Sequence, residues 1–305
     1  MDYRGSAARQ KTLKAAVHCC GIGLHSGARI DTTLHPAAPG TGIVFRRSDL
    51  GGRELAADWR NVVDSTLCTT LGTPDDMKVA TIEHLMAAFA GLEIDNAVVE
   101  LDGPEVPVMD GSAGPFVALI ECAGIVEQVA PRRGIKVLKP ITVGVAGSSA
   151  SLVPGEGFRL GFAIDFASSA IRCQELSYDF DAQSFKQDIS RARTFGFLDD
   201  VERMRQAGLA RGGSLENAVV ISGDRVLNKE GLRYDDEFVR HKTLDALGDL
   251  YLAGGPILGH FRGVRSGHAL NRQLLAALFA DPSAWRLATM AATPNWAEEP
   301  QRVRA

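Results

Sequence analysis

The sequence predicts an α+β fold made of two similar layered halves. Segments with strand-like alternation come in runs with helical segments between them, which is typical of α+β proteins. The same rhythm recurs in the second half, and the 305 residues suffice for about two domains of ~150 residues each. Hydrophobic residues at 45% and charged residues at 23% are ordinary for a soluble globular protein.

The first half is predicted to contain three strands and two helices. Apolar residues spaced i, i+3, i+4 and i+7 from Ile82 predict an amphipathic helix over 79–92. Ser112 is a candidate N-cap for a second helix, which ends at Gly124. Alternation of apolar and polar residues predicts strands at 28–35, 42–46 and 95–102.

The second half repeats this arrangement. Its longest predicted helix, 236–253, has acidic residues at its start and the stop signal Gly254-Gly255-Pro256 after it. The other predicted helices are 183–193, 198–206 and 268–280. The predicted strands are 135–138, 141–145, 159–166, 218–222 and 257–262.

The segment 131–134, with proline and glycine, is the best candidate for a linker. It divides the chain into an N-terminal domain, 1–130, and a C-terminal domain, 131–305. The C-terminal domain ends in a polar tail, 292–305, which we expect to be frayed.

Charge and cysteine content restrict the possible functions. A formal net charge of −4 argues against general binding to nucleic acid or anionic membranes, so an anionic ligand requires a local basic cluster. Five cysteines without a C-x-x-C pair indicate free thiols in a reducing compartment. The first 14 residues are polar, unlike a signal peptide, and no apolar run approaches the ~18 residues that span a bilayer. We therefore expect a cytoplasmic protein without stable membrane insertion.

A row of three polar side chains stands out in the second half. His241, Asp245 and Asp249 are four residues apart and therefore lie on one face of the predicted helix. An imidazole and a carboxylate in this arrangement can bind one small cation. By spacing alone, an ordinary solvated charge pair explains the row about as well. A separate apolar stripe on the same helix, which includes Leu244 and Leu247, shifts the balance towards a metal site.

Two further imidazoles complete the parts of a hydrolytic metal site. Catalytic zinc requires three protein ligands and an open position for water, and His84, His241 and Asp245 would supply the ligands. Glu83, next to a ligand, would take the proton from that water. His268 would then protonate the departing group.

The remaining candidates have supporting roles or weaker signals. Asp249 is predicted to fix the tautomer of His268 through a carboxylate–imidazole hydrogen bond. His25 lies in the glycine-rich segment GIGLHSG, which lacks the G-x-G-x-x-G and G-K-[ST] patterns of phosphate loops. Cys68 has no neighbouring base, so a packed thiol is favoured over a nucleophile.

Eight segments resemble the UDP-3-O-acyl-N-acetylglucosamine deacetylases of bacterial lipid A biosynthesis, and they occur in the same order as in that family. Together they extend from about residue 11 to about residue 280, which is nearly the whole chain. The matching segments are 21–27 (GIGLHSG), 81–85 (TIEHL), 91–96 (GLEIDN), 109–116 (MDGSAGPF), 190–197 (SRARTFGF), 225–232 (RVLNKEGL), 236–249 (DEFVRHKTLDALGD) and 266–271 (SGHALN). The resemblance implies a zinc-dependent amidase of a Gram-negative bacterium, which removes acetate from the glucosamine nitrogen of a UDP-linked, 3-O-acylated sugar in the committed step of lipid A biosynthesis.

The resemblance also implies a metal and a role for individual residues. The metal is one catalytic Zn²⁺, which Fe²⁺ could replace because a site of two histidines and one aspartate accepts either ion. Only Thr194 and Lys242 depend wholly on the resemblance for their roles. The implied residues are His84, His241 and Asp245 as ligands, Glu83 as general base, His268 as general acid, Asp249 behind His268, Thr194 at the oxyanion, and Lys242 at the substrate and oxyanion side.

For the fold and the substrate, the resemblance implies two domains, each a sheet packed on two helices with a small insert, and an active site between them. The insert of the second domain, about 194–220, would take the fatty acyl chain, although a packed helix-and-strand unit explains the same pattern. Arg265 stands where the family often has a lysine facing the diphosphate. The implied substrate contacts are Leu24, Phe195, Leu198, Val201, Ala210, Gly213, Ser214, Leu215, Ala218 and Arg265.

Two other functions stay open at this point. A different zinc amidase, acting on peptides or unacylated sugars, would use the same ligands without an acyl passage. A non-enzymatic nucleotide-sugar binding protein would lack one or more of the catalytic groups, and none is missing from the sequence. The expected partner is a UDP-linked acylated amino sugar and not a nucleic acid, and the sequence identifies no protein partner.

Overall fold

The computed structural model describes residues 7–292 as an α+β protein with two large sheets and helices packed on them, in agreement with the predicted fold class. Buried apolar side chains from both halves form one continuous core. Within the described range, no helix is both long enough and apolar enough to cross a membrane. The polar tail predicted at 292–305 lies outside the described residues, apart from Ala292.

The first half of the described chain consists of short strands around two helices. The helices are α1 (Glu83–Gly91) and α2 (Gly114–Ala123), with 3₁₀ turns at Ser48–Leu50 and Trp59–Asn61. The strands are β1 (Arg9–Leu13), β2 (Val17–Ile22), β3 (Arg29–Pro36), β4 (Ile43–Arg47), β5 (Arg53–Ala56), β6 (Val62–Asp64), β7 (Thr70–Gly72), β8 (Lys78–Val79), β9 (Ala97–Leu101) and β10 (Ile125–Pro131).

The larger sheet of this half has the strand order β2-β3-β9-β4-β5. Its strands pair antiparallel, except for β4 and β9, which are parallel. In β3, buried Ile30 and Leu34 alternate with more exposed side chains, so one face of the strand enters the core. Helix α2 packs against β2 and against α1.

The second half contains a larger sheet and longer helices. The helices are α3 (Ala182–Ser184), α4 (Leu198–Gln206), α5 (Glu237–Tyr251) and α6 (His268–Ala280), with a π-helical turn at Phe185–Ile189. The strands are β11 (Arg133–Val137), β12 (Ile141–Val145), β13 (Ser148–Val153), β14 (Phe158–Asp165), β15 (Cys173–Asp179), β16 (Phe195–Phe197), β17 (Val219–Ser222), β18 (Arg225–Val226), β19 (Ile257–Val264) and β20 (Trp285–Thr289).

Strand β19 is the centre of the second sheet. The sheet has seven strands in the order β12-β13-β19-β11-β20, with β14 also paired to β19 and β15 paired to β14. Helix α5 packs against β14 and β15, and α6 packs against β12 and β13. Since α5 also contacts α6, the two helices place their residues in one layer beside the sheet.

The two halves meet where α1 and α5 cross. Every residue of α1 is buried, as expected of a helix that is apolar nearly all round. A Cβ added to Gly248 in α5 would lie 2.1 Å from the backbone oxygen of Glu83, so only glycine permits this close approach. The crossing brings Glu83 and His84, at the start of α1, beside the middle of α5.

Residues 7–292 also contain three small sheets. Strands β6-β7-β8 form one in the first half, β16-β17-β18 form one in the second, and β1 pairs with β10. Strand β16, α4 and the start of β17 occupy the segment that the sequence predicts as an insert at about 194–220, and β18 follows it. In this sheet, β16 and β17 run parallel and are joined through α4.

Several element boundaries differ from the prediction. Helices α4 and α6 begin and end at the predicted residues. Helix α1 begins later than predicted, at Glu83, because Lys78–Val79 pairs with β7 and Thr81 has a positive φ of 57°. The helix predicted at 183–193 is instead α3 followed by the π-helical turn, which ends at Ile189.

The start of α2 also differs from the prediction. Its N-cap is Ala113, one residue after the predicted Ser112. The hydroxyl of Ser112 nevertheless accepts the N–H of Gly114 at 3.1 Å, so this side chain still satisfies a free donor at the helix start.

The segment predicted as a linker is not a loop. Strand β10 ends at Pro131 and β11 begins at Arg133, so a single residue separates them. That residue, Arg132, is buried and forms ion pairs with Glu93 at 2.7 Å and Asp95 at 2.9 Å. The connection is therefore tied to the first half by two charge-assisted hydrogen bonds.

Candidate active site and metal centre

A cavity of about 570 Å³ opens at the crossing of α1 and α5, beside the start of α6. One wall of the cavity is polar and carries most of the predicted metal-binding and catalytic side chains, and the other wall is apolar. The polar residues include Glu83, His84, Thr194, His241, Lys242, Asp245 and His268, and the apolar ones include Leu24, Leu67, Phe166, Phe195, Phe197 and Met204.

Three buried side chains in this cavity converge as the sequence predicts. His84 comes from α1, and His241 and Asp245 come from α5. Asp245 Oδ1 lies 3.3 Å from His241 Nε2 and 3.7 Å from His84 Nε2, and the three ligand atoms all lie within 4.8 Å of one another. Ligands of a tetrahedral zinc ion, each about 2.0–2.1 Å from the metal, lie about 3.4 Å apart. The trio therefore has the size and donor set of a divalent metal site.

The second nitrogen of His241 is fixed by the backbone. Its Nδ1 lies 3.0 Å from the carbonyl oxygen of Ala192, and since a carbonyl can only accept, Nδ1 carries the proton. The Nε2 lone pair then faces Asp245, as a ligand atom must. Asp245 Oδ1 is buried without a hydrogen-bond partner among the described residues, which a cation at this point would correct.

The electrostatics of the trio suit metal binding. Burial lowers the pKa of His84 to about 3, and the nearby His241 adds to this effect. Burial also lowers the pKa of His241, so both imidazoles are neutral. Burial alone would favour protonated Asp245. At the low pH where this carboxyl titrates, however, the positive charges of His241 and Lys242 outweigh burial and hold the pKa of Asp245 well below its usual range. Neutral imidazoles and an ionised carboxylate are the forms that bind a metal.

Glu83 has the position and the pKa of a general base. Its Oε2 accepts the backbone N–H of Thr69 at 3.0 Å, while Oε1 lies 3.8 Å from His268 Nε2. Burial raises the pKa of Glu83 to about 7, although the nearby His268 partly opposes this. A base of this pKa accepts protons most effectively near neutral pH.

His268 is the first residue of α6 and has the surroundings of a general acid. Its Nδ1 lies 2.8 Å from Asp249 Oδ2, the predicted orienting contact. Asp249 also accepts the Thr69 hydroxyl at 2.5 Å and the Asn271 amide at 2.9 Å. Burial disfavours the imidazolium, but the Asp249 carboxylate outweighs it and raises the pKa of His268 to about 9. His268 is therefore protonated at neutral pH.

Lys242 lies at the edge of the trio. Its Nζ donates to Asp245 Oδ2 at 2.6 Å, whereas the other carboxylate oxygen, Oδ1, is the one nearest His241 and His84. Burial would lower the pKa of Lys242, but the Asp245 carboxylate reverses this and raises it. Lys242 thus presents a permanent positive charge to the cavity.

The position of Thr194 depends on two backbone contacts, one with the first half and one within the second. Its N–H donates to the carbonyl of Gly111 at 2.8 Å, and its own carbonyl accepts the N–H of Val219 at 2.8 Å. Gly111 has a φ of 83°, and a Cβ there would lie 2.0 Å from the Asn217 oxygen, so the loop reaches Thr194 only with glycine.

Two of the predicted substrate contacts, Leu24 and Phe195, line the cavity. Phe166, Phe197 and Met204 line it as well, although sequence reasoning missed them. Phe166 continues the alternation of β14, and this could have indicated its inward position. The other predicted contacts lie outside the lining residues, namely Leu198, Val201, Ala210, Gly213, Ser214, Leu215, Ala218 and Arg265.

Three residues singled out in the sequence take no direct part in the polar wall. The Arg265 guanidinium donates to the carbonyl of Gly147 at 2.9 Å and 3.1 Å, outside the cavity lining. The backbone N–H of His25 donates to Glu105 Oε1 at 2.8 Å. Cys68 lines the cavity, but burial raises the pKa of its thiol to about 12, with Glu83 adding to the effect, so it is not a thiolate nucleophile.

The chain is similar to known proteins along nearly its whole length. The family model LpxC, described as UDP-3-O-acyl N-acetylglycosamine deacetylase, matches residues 10–280. Three relatives carry the name UDP-3-O-acyl-N-acetylglucosamine deacetylase. That of Nitrosococcus oceani is 54% identical over 92% of this chain and 93% of its own length. That of Acidithiobacillus ferrooxidans is 54% identical over 91% of this chain and 92% of its own length. That of Chromohalobacter salexigens is 53% identical over 92% of this chain and 93% of its own length.

Proposed function

Because the chain belongs to the UDP-3-O-acyl-N-acetylglucosamine deacetylase family, we propose that it hydrolyses the acetamide of such a UDP-sugar, in the committed step of lipid A biosynthesis. The products are acetate and the UDP-3-O-acyl-glucosamine amine. The observation that carries this proposal is the convergence of a buried ligand trio with a base and an acid in one cavity. We place this enzyme in the cytoplasm, in keeping with its five free cysteines.

We propose that His84, His241 and Asp245 hold one Zn²⁺, with Fe²⁺ as an ion that fits the same donors. Two observations support this assignment: Asp245 Oδ1 is buried without a hydrogen-bond partner among residues 7–292, and the two imidazoles are neutral. When bound, the ion would supply Lewis-acid activation of water and of the substrate carbonyl.

Glu83 acts as the general base. Its Oε2 is held by the Thr69 N–H, so Oε1 is the oxygen free to accept the proton of the attacking water. The water oxygen bonds to the acetamide carbon as this proton moves to Glu83. The Thr194 hydroxyl and the Lys242 ammonium, both on the cavity wall, stabilise the negative charge that develops on the carbonyl oxygen.

His268 acts as the general acid. Asp249 holds Nδ1, so the proton on Nε2 is the one delivered to the amide nitrogen as the carbon–nitrogen bond breaks. The amine leaves on the sugar, and the carbonyl carbon leaves as acetate. The raised pKa of His268, about 9, keeps this proton available at neutral pH.

The substrate lies between two α+β domains, residues 1–130 and residues 131–305. The 3-O-acyl chain runs along the apolar wall, over Leu24, Phe195 and Phe197. Arg265 contacts the diphosphate after its side chain leaves Gly147. Of the other predicted contacts of the insert, Val201 lies next to Gly196 and Gly213 lies next to Leu24, both of which line the cavity.

The test is mass-resolved product analysis with UDP-3-O-acyl-N-acetylglucosamines of several acyl lengths, beside UDP-N-acetylglucosamine and acetylated peptides. We expect loss of one acetyl group from the acylated sugars only. Equal turnover of the unacylated sugar or the peptides would indicate a different zinc amidase. Binding of the sugars without product would indicate a nucleotide-sugar binding protein.

A further inference from the structure

Thr69 makes hydrogen bonds to two carboxylates of the candidate active site. Its backbone N–H donates to Glu83 Oε2 at 3.0 Å, and its hydroxyl donates to Asp249 Oδ1 at 2.5 Å. Thr69 is itself buried, with 2% of its surface exposed. One small residue therefore contacts both the proposed base and the carboxylate behind the proposed acid.

These contacts close a ring of four residues. Asp249 Oδ2 lies 2.8 Å from His268 Nδ1, and His268 Nε2 lies 3.8 Å from Glu83 Oε1. The ring thus runs from Thr69 to Glu83, to His268, to Asp249 and back to Thr69. Its one open step, between Glu83 and His268, is where water and the leaving nitrogen must fit in the proposed reaction.

Thr69 joins elements that are distant in the chain. It directly precedes β7, in the small sheet of the first half, whereas Asp249 lies on α5 in the second half. Its carbonyl also accepts the N–H of Ile82 at 3.4 Å, just before Glu83. Because the N–H and the hydroxyl belong to one residue, neither carboxylate can shift without straining the other contact.

We propose that Thr69 is a positioning residue, which sets the separation of Glu83 and His268 by holding both carboxylates. The catalytic part of this proposal rests on the proposed deacetylase function. Removal of the hydroxyl leaves a buried carboxylate oxygen of Asp249 without this donor, so that Asn271 alone holds Asp249 against His268 and the position of the imidazole is less restricted.

The kinetic test compares Thr69→Val, Thr69→Ser and Thr70→Val on UDP-3-O-acyl-N-acetylglucosamine. Thr70 is the matched control, since its buried hydroxyl contacts Cys68 Sγ at 3.6 Å. We expect Thr69→Val to lower kcat by about 10–100-fold, the value of a hydrogen bond to a charged group, with KM nearly unchanged. Thr69→Ser should recover most of the loss, and Thr70→Val should stay close to the wild type.

A double-mutant cycle with Asp249→Asn separates positioning from general damage. If Thr69 acts through Asp249, the double variant should be hardly slower than Asp249→Asn alone. Multiplicative losses would overturn the proposal. The proposal would also be overturned if Thr69→Val lost no more kcat than Thr70→Val. The same holds if the lower kcat of Thr69→Val came only from a lower metal content, with turnover per bound metal unchanged.

A second readout does not depend on turnover. The downfield ¹H resonance of the His268 Nδ1–H, identified by its absence in His268→Ala, reports the bond to Asp249. This resonance should shift or broaden in Thr69→Val. In Thr69→Ser and in Thr70→Val it should lie at its wild-type position. An unmoved resonance in Thr69→Val refutes the positioning role, whereas a shift in a protein that deacetylates nothing refutes only the proposed function.

Discussion

Gly248 and Glu83 meet where α5 and α1 cross, and a Cβ on Gly248 would lie 2.1 Å from the Glu83 carbonyl oxygen. This contact sets how closely the two helices approach. It therefore also sets how closely the proposed ligands His241 and Asp245 on α5 approach the proposed ligand His84 and the proposed base Glu83 on α1. The absence of a side chain at one position thus controls the geometry of the proposed active site.

Gly248→Ala should therefore destabilise the fold and weaken metal binding together. Overpacking a core contact costs about 1–3 kcal/mol, and separation of the helices moves His84 away from Asp245. Thermal unfolding and zinc content measure the two effects. Gly161→Ala is the control, since an added Cβ there lies 3.7 Å from its nearest neighbour. Unchanged stability and zinc content in Gly248→Ala would mean that the crossing tolerates a wider spacing.

Zinc should stabilise the chelator-treated protein through the buried trio. Free zinc at about 100 times its Kd adds about 2.7 kcal/mol to the free energy of unfolding, which raises Tm. Asp245→Ala should lose this rise, because a ligand is missing. His18→Ala, at an exposed histidine, should keep it. An equal rise in wild type and Asp245→Ala would place the binding site elsewhere.

Glu83→Gln should retain the metal and lose most of the turnover. The side chain keeps its size and its contact with Thr69, but an amide cannot accept the proton of water. The expected loss in kcat is about 10²–10⁴-fold, as for other general bases. Metal analysis and steady-state kinetics on the same sample decide the matter. Loss of zinc with normal turnover per zinc would assign Glu83 a structural role.

The rate should depend on pH with a bell-shaped profile. The base must be deprotonated, so kcat/KM rises with pH through the pKa of Glu83, which burial raises to about 7. The acid must be protonated, so the rate falls through the pKa of His268, which Asp249 raises to about 9 against the effect of burial. A bound cation favours both deprotonated forms and moves both limbs to lower pH. A basic limb that persists in His268→Ala would exclude His268 as the acid.

A buried ion pair should support the segment that carries Thr194. Arg193 Nε donates to Glu237 Oε1 at 2.9 Å, and both residues are almost fully buried. Glu237→Ala leaves a buried guanidinium unpaired, so it should destabilise the protein by about 3–5 kcal/mol in urea titrations. Glu230→Ala removes the exposed partner of the same Arg193, at 3.0 Å, and should have a much smaller effect. Equal effects would contradict the role assigned to burial.

Local patterns in the sequence were sufficient for many elements. Helices α4 and α6 begin and end where periodicity predicts, since the pattern and the end signals agree there. The strands that were missed include β2 and the short β6, β7 and β8. In strands of two or three residues, such as β6, β7 and β8, too few side chains alternate for a pattern to be recognised, and pairing with neighbouring strands defines them. The late start of α1 has the same origin, because β8 takes Lys78–Val79.

The sequence by itself determined the chemical types and local spacing of the site: an acid beside His84, and His241 four residues before Asp245 on one helix face. Only the tertiary structure decided that these groups meet, because the meeting depends on Gly248 at the helix crossing. It also decided which aromatic residues line the cavity. Thr69 had no local signal, since a threonine that bonds two distant carboxylates looks like any other threonine until the chain has folded around it.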